Sequence, residues 1–376
     1  MMDHDSTGRE VRRRRFLAAA GALGVGGLAG CTGNDDDDGD DSQSPIGQIG
    51  SGREGRDAPG GTSMADMPDL SGELTVYSGR GEFLVGELVE YIDDLYDDFD
   101  LTVRYAGSTD HVNAIVNEGE GSPADVFYSV NAGALGALAN EGRTQALPAE
   151  ITDMVREEFR TEQWIGTSGR ARTVPYNTDE FSGDDLPDDI MAYPEEFAGS
   201  LGWAPSYGSC QAFITAMRLI EGPDATLDWL EAVVDSGISS YADEFAACQA
   251  IADGEIDAAF TNHYYIQRVL DGNPDASIGT AFTSGDAGAV FNVAGAAVVD
   301  TAADATLAQN FVRHLLSAEA QDYFARTTFE YPLIPEVEPI GDLPTIDELD
   351  VPDIDLTQLS DLEPTIDLMR EAGVEV

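Results

Sequence analysis

"GELTVYSGRGEFLVGELVEYIDDLYDDFDLTVRYAG", residues 72–107, decides the fold. Leu74 and Val76, then Leu101, Val103 and Tyr105, fall at the two-residue period of a half-buried strand. Between them Val85, Leu88, Val89, Ile92, Leu95, Tyr96 and Phe99 recur at helical spacing. A strand, a helix and a strand in this order make parallel neighbours, because the helix returns the chain to the end of the sheet where it began. Outward from there, "TDHVNAIVNEG" (109–119) reads as a helix, "PADVFYSV" (123–130) as a strand and "NAGALGALANEG" (131–142) as a third helix. The later half repeats the style. "GWAPSYGSCQAFITAMRLIEG" (202–222) is a loop entering a helix with Phe213, Ala216, Met217 and Ile220 inward, and "EIDAAF" (255–260) is a strand. The expectation is an α/β fold of two lobes joined by a hinge, each a mixed, mostly parallel sheet flanked by helices. Such sheets bind ligands at the carboxyl ends of their strands.

The charge is the unusual feature. The 376 residues carry 71 Asp plus Glu against 19 basic residues, a net charge of −52, and all 19 are arginine. So negative a field excludes nucleic acid and anionic membrane surfaces as general partners. A disordered acidic chain would lack the hydrophobic periodicity seen here. The composition fits a folded protein of a halophile, whose carboxylates repel one another little because concentrated salt screens them over a few ångströms.

The N-terminus reads as an address. Arg13-Arg14-Arg15-Phe16-Leu17 matches the twin-arginine pattern, and a short run of Ala and Gly follows, well under the ~20 apolar residues of a membrane span. It ends in Leu28-Ala29-Gly30-Cys31, like the site where a lipoprotein is cleaved and its cysteine acylated. Residues 1–30 are therefore expected to be a signal peptide, and 31–72, rich in Gly, Asp and Ser, a lipid-anchored acidic disordered tether. Cleavage leaves 68 acids, 14 arginines and a net charge of −54. With Cys31 acylated, Cys210 and Cys248 remain. An even remainder in an exported protein points to a disulfide, against two buried free thiols.

Catalytic machinery is not visible. The four histidines are scattered, no Cys-x-x-Cys exists, and no Ser elbow stands between a strand and a helix. What remains are phenols at strand ends. Tyr264 and Tyr265 follow "EIDAAF" and the polar turn Thr261-Asn262-His263, and Tyr207 sits in the loop "APSYGSC". Within a helix, neighbouring side chains point roughly 100° apart. At a strand-to-helix corner both can turn toward one point.

At these residues a resemblance becomes specific. "LTVYSGRGE", "SPADVFYS", "AGALGALA", "SGRAR…YNT", "GWAPSYGS", "TNHYY", "GDAG…NVAGAAVV", "LLSAEAQDYFA" and "EYPL" occur in that order. Together they resemble the ferric-ion-binding proteins of iron-import ABC transporters, of the periplasmic-binding-protein superfamily, here in a haloarchaeal lipoprotein form. The resemblance covers Gly72 to Val376 and implies a type II-like two-lobed fold and no enzymatic activity. It implies Fe(III) held by Tyr264 and Tyr265, with Tyr207 as the third tyrosine of one branch. Another branch uses a His and a Glu at positions that are Gly81 and Val130 here. Fe(III) is a hard ion that prefers anionic oxygen. Three tyrosinates would neutralise it and leave room for carbonate or a similar synergistic anion, for which Arg80 and Arg172, assisted by Asn262, are the expected holders, with Arg170 nearby. Tyr176 is read as part of the crossing strand.

The implied role is an extracytoplasmic monomer, anchored at Cys31 to the outer face of the cytoplasmic membrane, that delivers iron to a permease and ATPase. Lobe 1 is expected to span 73–172 with about 296–344, and lobe 2 to span 173–295 with about 345–376. Two rivals stand beside it. One binds another small solute without metal, of phosphonate, sulfate, polyamine or thiamine-like type. The other is an extracellular metallohydrolase, against which the shortage of histidine counts.

Overall fold

The computed structural model describes residues 46–376 apart from residues 52, 54 and 55. The signal peptide, Cys31 and the run of Asp after it lie outside the described residues.

The opening stretch folds as its periodicity dictates. β1 (Gly72–Ser78), α1 (Glu82–Leu95), β2 (Phe99–Tyr105), α2 (Ser108–Glu118), β3 (Val126–Ser129) and α3 (Ala132–Asn140) follow in order. β1 lies parallel to both β2 and β3. α1 buries Val85, Leu88 and Ile92, a stripe at spacings of three and four. Each such side chain contributes about 1.5–3 kcal/mol of burial.

After a single turn α4 (Ala149–Thr152) comes β4 (Ile165–Asn177), a thirteen-residue strand that crosses the molecule. Then follow α5 (Tyr193–Glu196), β5 (Leu201–Trp203), α6 (Gly208–Ile220), α7 (Pro223–Asp235), β6 (Ser239–Ser240), α8 (Glu244–Ala252), β7 (Ala258–Ala259), β8 (Thr261–Asn262) and α9 (His263–Gly272). The chain closes with β9 (Ile278–Ala281), β10 (Phe291–Val298), α10 (Ala305–His314), α11 (Ala318–Tyr323), β11 (Tyr331–Pro332) and α12 (Glu363–Glu371).

β4 changes partners midway. Residues 165–171 pair antiparallel with β10, whereas Arg172 and Thr173 pair with β8 and residues 174–177 with β9. The sheet order is β2-β1-β3-β10-β4-β7-β5-β6. Parallel and antiparallel pairs coexist because the returning strand β10 inserts between β3 and β4. Among the described residues no helix is long and apolar enough to cross a membrane.

Two expectations are corrected. Residues 46–71, read as tether, are in large part packed on the body. Ile49, Met64, Met67 and Leu70 are buried, and Arg53 Nη2 meets Asp322 Oδ2 at 2.7 Å. Ser63 Oγ and the Met64 amide donate to Glu319 at 2.6 and 2.9 Å. Isolated apolar residues without a period carry no signal in a Gly- and Asp-rich stretch. Cys210 and Cys248 are both free and fully buried, so the bridge is absent. Cys210 packs into the main core and Cys248 into a smaller cluster around the tyrosine pair. Burial pushes each thiol up to about 12.

Candidate functional site

The register of β4 places the site. Arg172 pairs with Asn262, which sets the start of α9 beside the point where β4 changes partners. Asn262 is the N-cap of α9, so Tyr264 and Tyr265 stand in its first turn. Tyr207 occupies the matching N-cap of α6. All three line one cavity of about 620 Å³.

The phenols converge. Tyr207 Oη and Tyr265 Oη are 2.7 Å apart and share a hydrogen bond, and the Tyr264 and Tyr265 ring centroids are 4.3 Å apart. Asn262 Nδ2 donates to Tyr264 Oη at 3.3 Å. Tyr207 remains 36% exposed while its partners are almost sealed, so the cluster opens to solvent on the Tyr207 side. Burial raises the Tyr264 phenol above its ordinary value, with Arg170 pulling the other way. Burial also raises Tyr265, reinforced by Tyr264 and by the bond to Tyr207. These two phenols therefore stay protonated in neutral solution until a cation displaces their protons.

Arg268 was not anticipated. It stands four residues after Tyr264 and three after Tyr265, the spacings that share a helix face. Its guanidinium carbon lies 5.0 and 5.3 Å from the two ring centroids, within cation–π reach. Among the described residues it makes no ion pair. Helical arithmetic alone finds it once the helix is started at His263.

Arg80 and Arg172, the arginines expected to hold an anion, each have a buried carboxylate partner. Arg80 is buried, pairs through Nη2 with Glu330 and donates through Nη1 to Ser168 Oγ at 2.6 Å. Arg172 pairs through Nη1 with Glu244 at 2.5 Å, donates through Nη2 to the Phe260 carbonyl and covers the Phe213 ring. Both line the cavity, yet each spends its charge on a buried carboxylate. Arg170 donates to the Val130 carbonyl, with its Nε 4.0 Å from Glu330. Burial pushes the Glu330 carboxyl up, but Arg80 and Arg170 outweigh it and hold the group below its usual value. Glu330 and Glu244 could not be singled out by sequence among 71 acids.

His263, beside the tyrosine pair, is a connector. Its Nδ1 accepts from the Ala171 amide at 3.1 Å, and its Nε2 lies 2.8 Å from the Phe329 carbonyl, so the Nε2–H tautomer satisfies both neighbours. Burial lowers its pKa to about 4, keeping the ring neutral. Tyr176 pairs with Ala258 and Gly279 along β4, away from the cavity lining. Among the described residues no three His, Cys, Asp or Glu side chains gather to hold a metal.

Residues 74–330 match the family described as bacterial extracellular solute-binding protein. The major ferric iron-binding protein of Neisseria meningitidis serogroup A is 30% identical over 314 residues, covering 81% of this chain and 93% of the relative. The Fe(3+)-binding periplasmic protein of Serratia marcescens is 27% identical over 310 residues, covering 80% and 90%. Iron-bound HitA from Pseudomonas aeruginosa superposes with a TM-score of 0.71 at 27% identity, over 80% of this chain and 99% of that one. These likenesses carry the two-lobed α/β fold. Together with the matched span, which exceeds half the sequence, they establish that this chain belongs to the bacterial extracellular solute-binding proteins.

Proposed function

We propose that this protein is an Fe(III)-binding component of an ABC importer, acting outside the cytoplasm and not as an enzyme. The observation that carries the reading is the convergence of Tyr207, Tyr264 and Tyr265 on one cavity, with two phenol oxygens 2.7 Å apart. Hard phenolate oxygens suit a hard trivalent ion, and three of them neutralise its charge. Arg268 over two of the rings stabilises the phenolate form once the metal has displaced the protons.

A synergistic anion of carbonate type would complete the coordination. Since Arg80 and Arg172 already serve carboxylates and Arg170 lies 4.0 Å from Glu330, Arg268, with Asn262 at the Tyr264 oxygen, is the better holder. The lobes hinge where β4 changes partners at Ala171 and Arg172 and where the chain returns between β9 and β10. The rest of the reading comes from sequence: twin-arginine export, acylation at Cys31, a monomer working in high salt, and a permease with its ATPase as partners.

Four arginines in the lining of so acidic a protein favour, as a second reading, a small organic or inorganic anion bound without metal. Titration with Fe(III) in the presence of carbonate separates the two. Iron binding gives one equivalent with a visible tyrosinate-to-iron absorption band, whereas the anion binder stays colourless.

A further inference from the structure

Glu244 is buried and stands outside the phenol cluster, yet it touches every segment that shapes it. Its Oε1 accepts from Arg172 Nη1 and from Ser209 Oγ, each at 2.5 Å, and its Oε2 accepts from the Asn262 amide at 2.9 Å. Ser209 lies two residues after Tyr207, in the first turn of α6. Asn262 caps α9, whose first turn holds Tyr264 and Tyr265. Arg172 is the residue at which β4 takes β8 as its partner. One carboxylate thus joins the loop of the third tyrosine, the start of the paired tyrosines and the crossing strand.

The helix that carries Glu244 does not need this carboxylate. Its N-cap is Asp243, whose side chain already accepts from the Ala246 amide at 2.8 Å. Burying a carboxylate is costly unless it is paired and fully hydrogen-bonded, and an apolar side chain would fill such a core position more cheaply. Its three partners instead lie at the roots of the site.

We propose that Glu244 is a positioning residue for the tyrosine cluster. It ties the Tyr207 loop to the first turn of α9 and so sets the approach of Tyr207 to Tyr265. By occupying Arg172 it also makes that guanidinium a strut and leaves anion binding to other arginines. The proposal rests on the Fe(III) reading only for its effect on metal affinity.

The test has a metal-free arm and an iron arm, on the intact folded protein. Ser209→Ala removes one hydroxyl and leaves the Arg172 pair whole, while Glu244→Gln keeps an acceptor oxygen and drops the charge. In metal-free protein with ¹³C-labelled tyrosine rings, both variants should shift the Tyr207 and Tyr265 signals and weaken the cross-relaxation between them. Tyr323, buried elsewhere, should not move. In the iron arm, Glu244→Gln should lower Fe(III) affinity about 10–100-fold, as loss of outer partners does at metal sites, and displace the visible band, with Ser209→Ala in the same direction and smaller. If Glu244→Gln does not fold, Ser209→Ala decides alone. Parent-like tyrosine signals in the metal-free variants overturn the proposal whatever iron does. A parent protein that takes up no iron refutes the functional reading and leaves the metal-free arm to judge the tie.

Discussion

Two buried arginine–carboxylate pairs border the cavity, and they differ in what surrounds them. Arg80, paired with Glu330, packs on the Tyr128 and Phe324 rings in a part of the lining that also holds Phe83, Leu84, Val112 and Val130. Arg172 with Glu244 sits under the loops of Tyr207, Tyr264 and Tyr265. Each carboxylate also accepts a serine hydroxyl, Ser168 in one and Ser209 in the other. The likeness of the pairs is that each guanidinium meets a buried carboxylate that a serine hydroxyl also serves. On the proposed reading the phenol donors come from one wall, while the other presents apolar side chains. Phe83, 85% exposed at the cavity, is one of them.

The comparison can be broken most forcefully at the struts. Arg172→Met leaves Glu244 unpaired and should cost about 3–5 kcal/mol of stability in denaturant unfolding, whereas Arg80→Met leaves Glu330 the more distant Arg170 and should cost less. Only Arg172→Met should also disturb the Tyr207–Tyr265 contact. Equal disturbance of the tyrosine signals by both variants would erase the distinction between the walls.

A smaller effect is expected at Arg268. Arg268→Ala should lower Fe(III) affinity about tenfold, near 1.4 kcal/mol, by removing the cation over both phenolate rings. The fold should be untouched. Arg268→Lys should restore only part of the loss, because an ammonium cannot stack as a guanidinium does. Competition with a chelator of known strength measures both.

The gentlest probe is pH, through His263, which bridges the walls by bonding Ala171 beside Arg172 and Phe329 beside Glu330. Its folded pKa of about 4 lies below the ordinary 6.5. Between those values the unfolded chain binds the proton and the folded one does not, so stability falls as pH drops from 6.5 toward 4. His263→Gln, which retains a donor for the Phe329 carbonyl, should flatten that slope in denaturant midpoints taken across the window.

Much of this was legible in the sequence, for local reasons. The strand–helix–strand at 72–107 follows from period alone, because α1 and its strands each bury one face. The adjacent tyrosines stood out because a helix interior would separate them, and a first turn does not bar their rings from one cavity. The engagement of Arg80 and Arg172 was not legible, since Glu330 and Glu244 lie 250 and 72 residues from them in the chain. The packed strap at 46–71 was hidden for the opposite reason. Its anchors Ile49 and Met64 are single apolar residues that acquire meaning only against Glu319, Asp322 and Arg326.

The central claim is that the phenol wall alone grips Fe(III). Its most direct test is an Fe(III) titration, followed at the visible charge-transfer band, of the parent and of the Tyr264→Phe, Tyr265→Phe double variant. Only two oxygens are lost, so the variant should fold as the parent does. The account predicts one equivalent of coloured iron in the parent, weakening as pH falls because protons compete for the phenolates, and affinity lower by orders of magnitude with the band lost in the variant. A double variant that binds Fe(III) as tightly as the parent would contradict it.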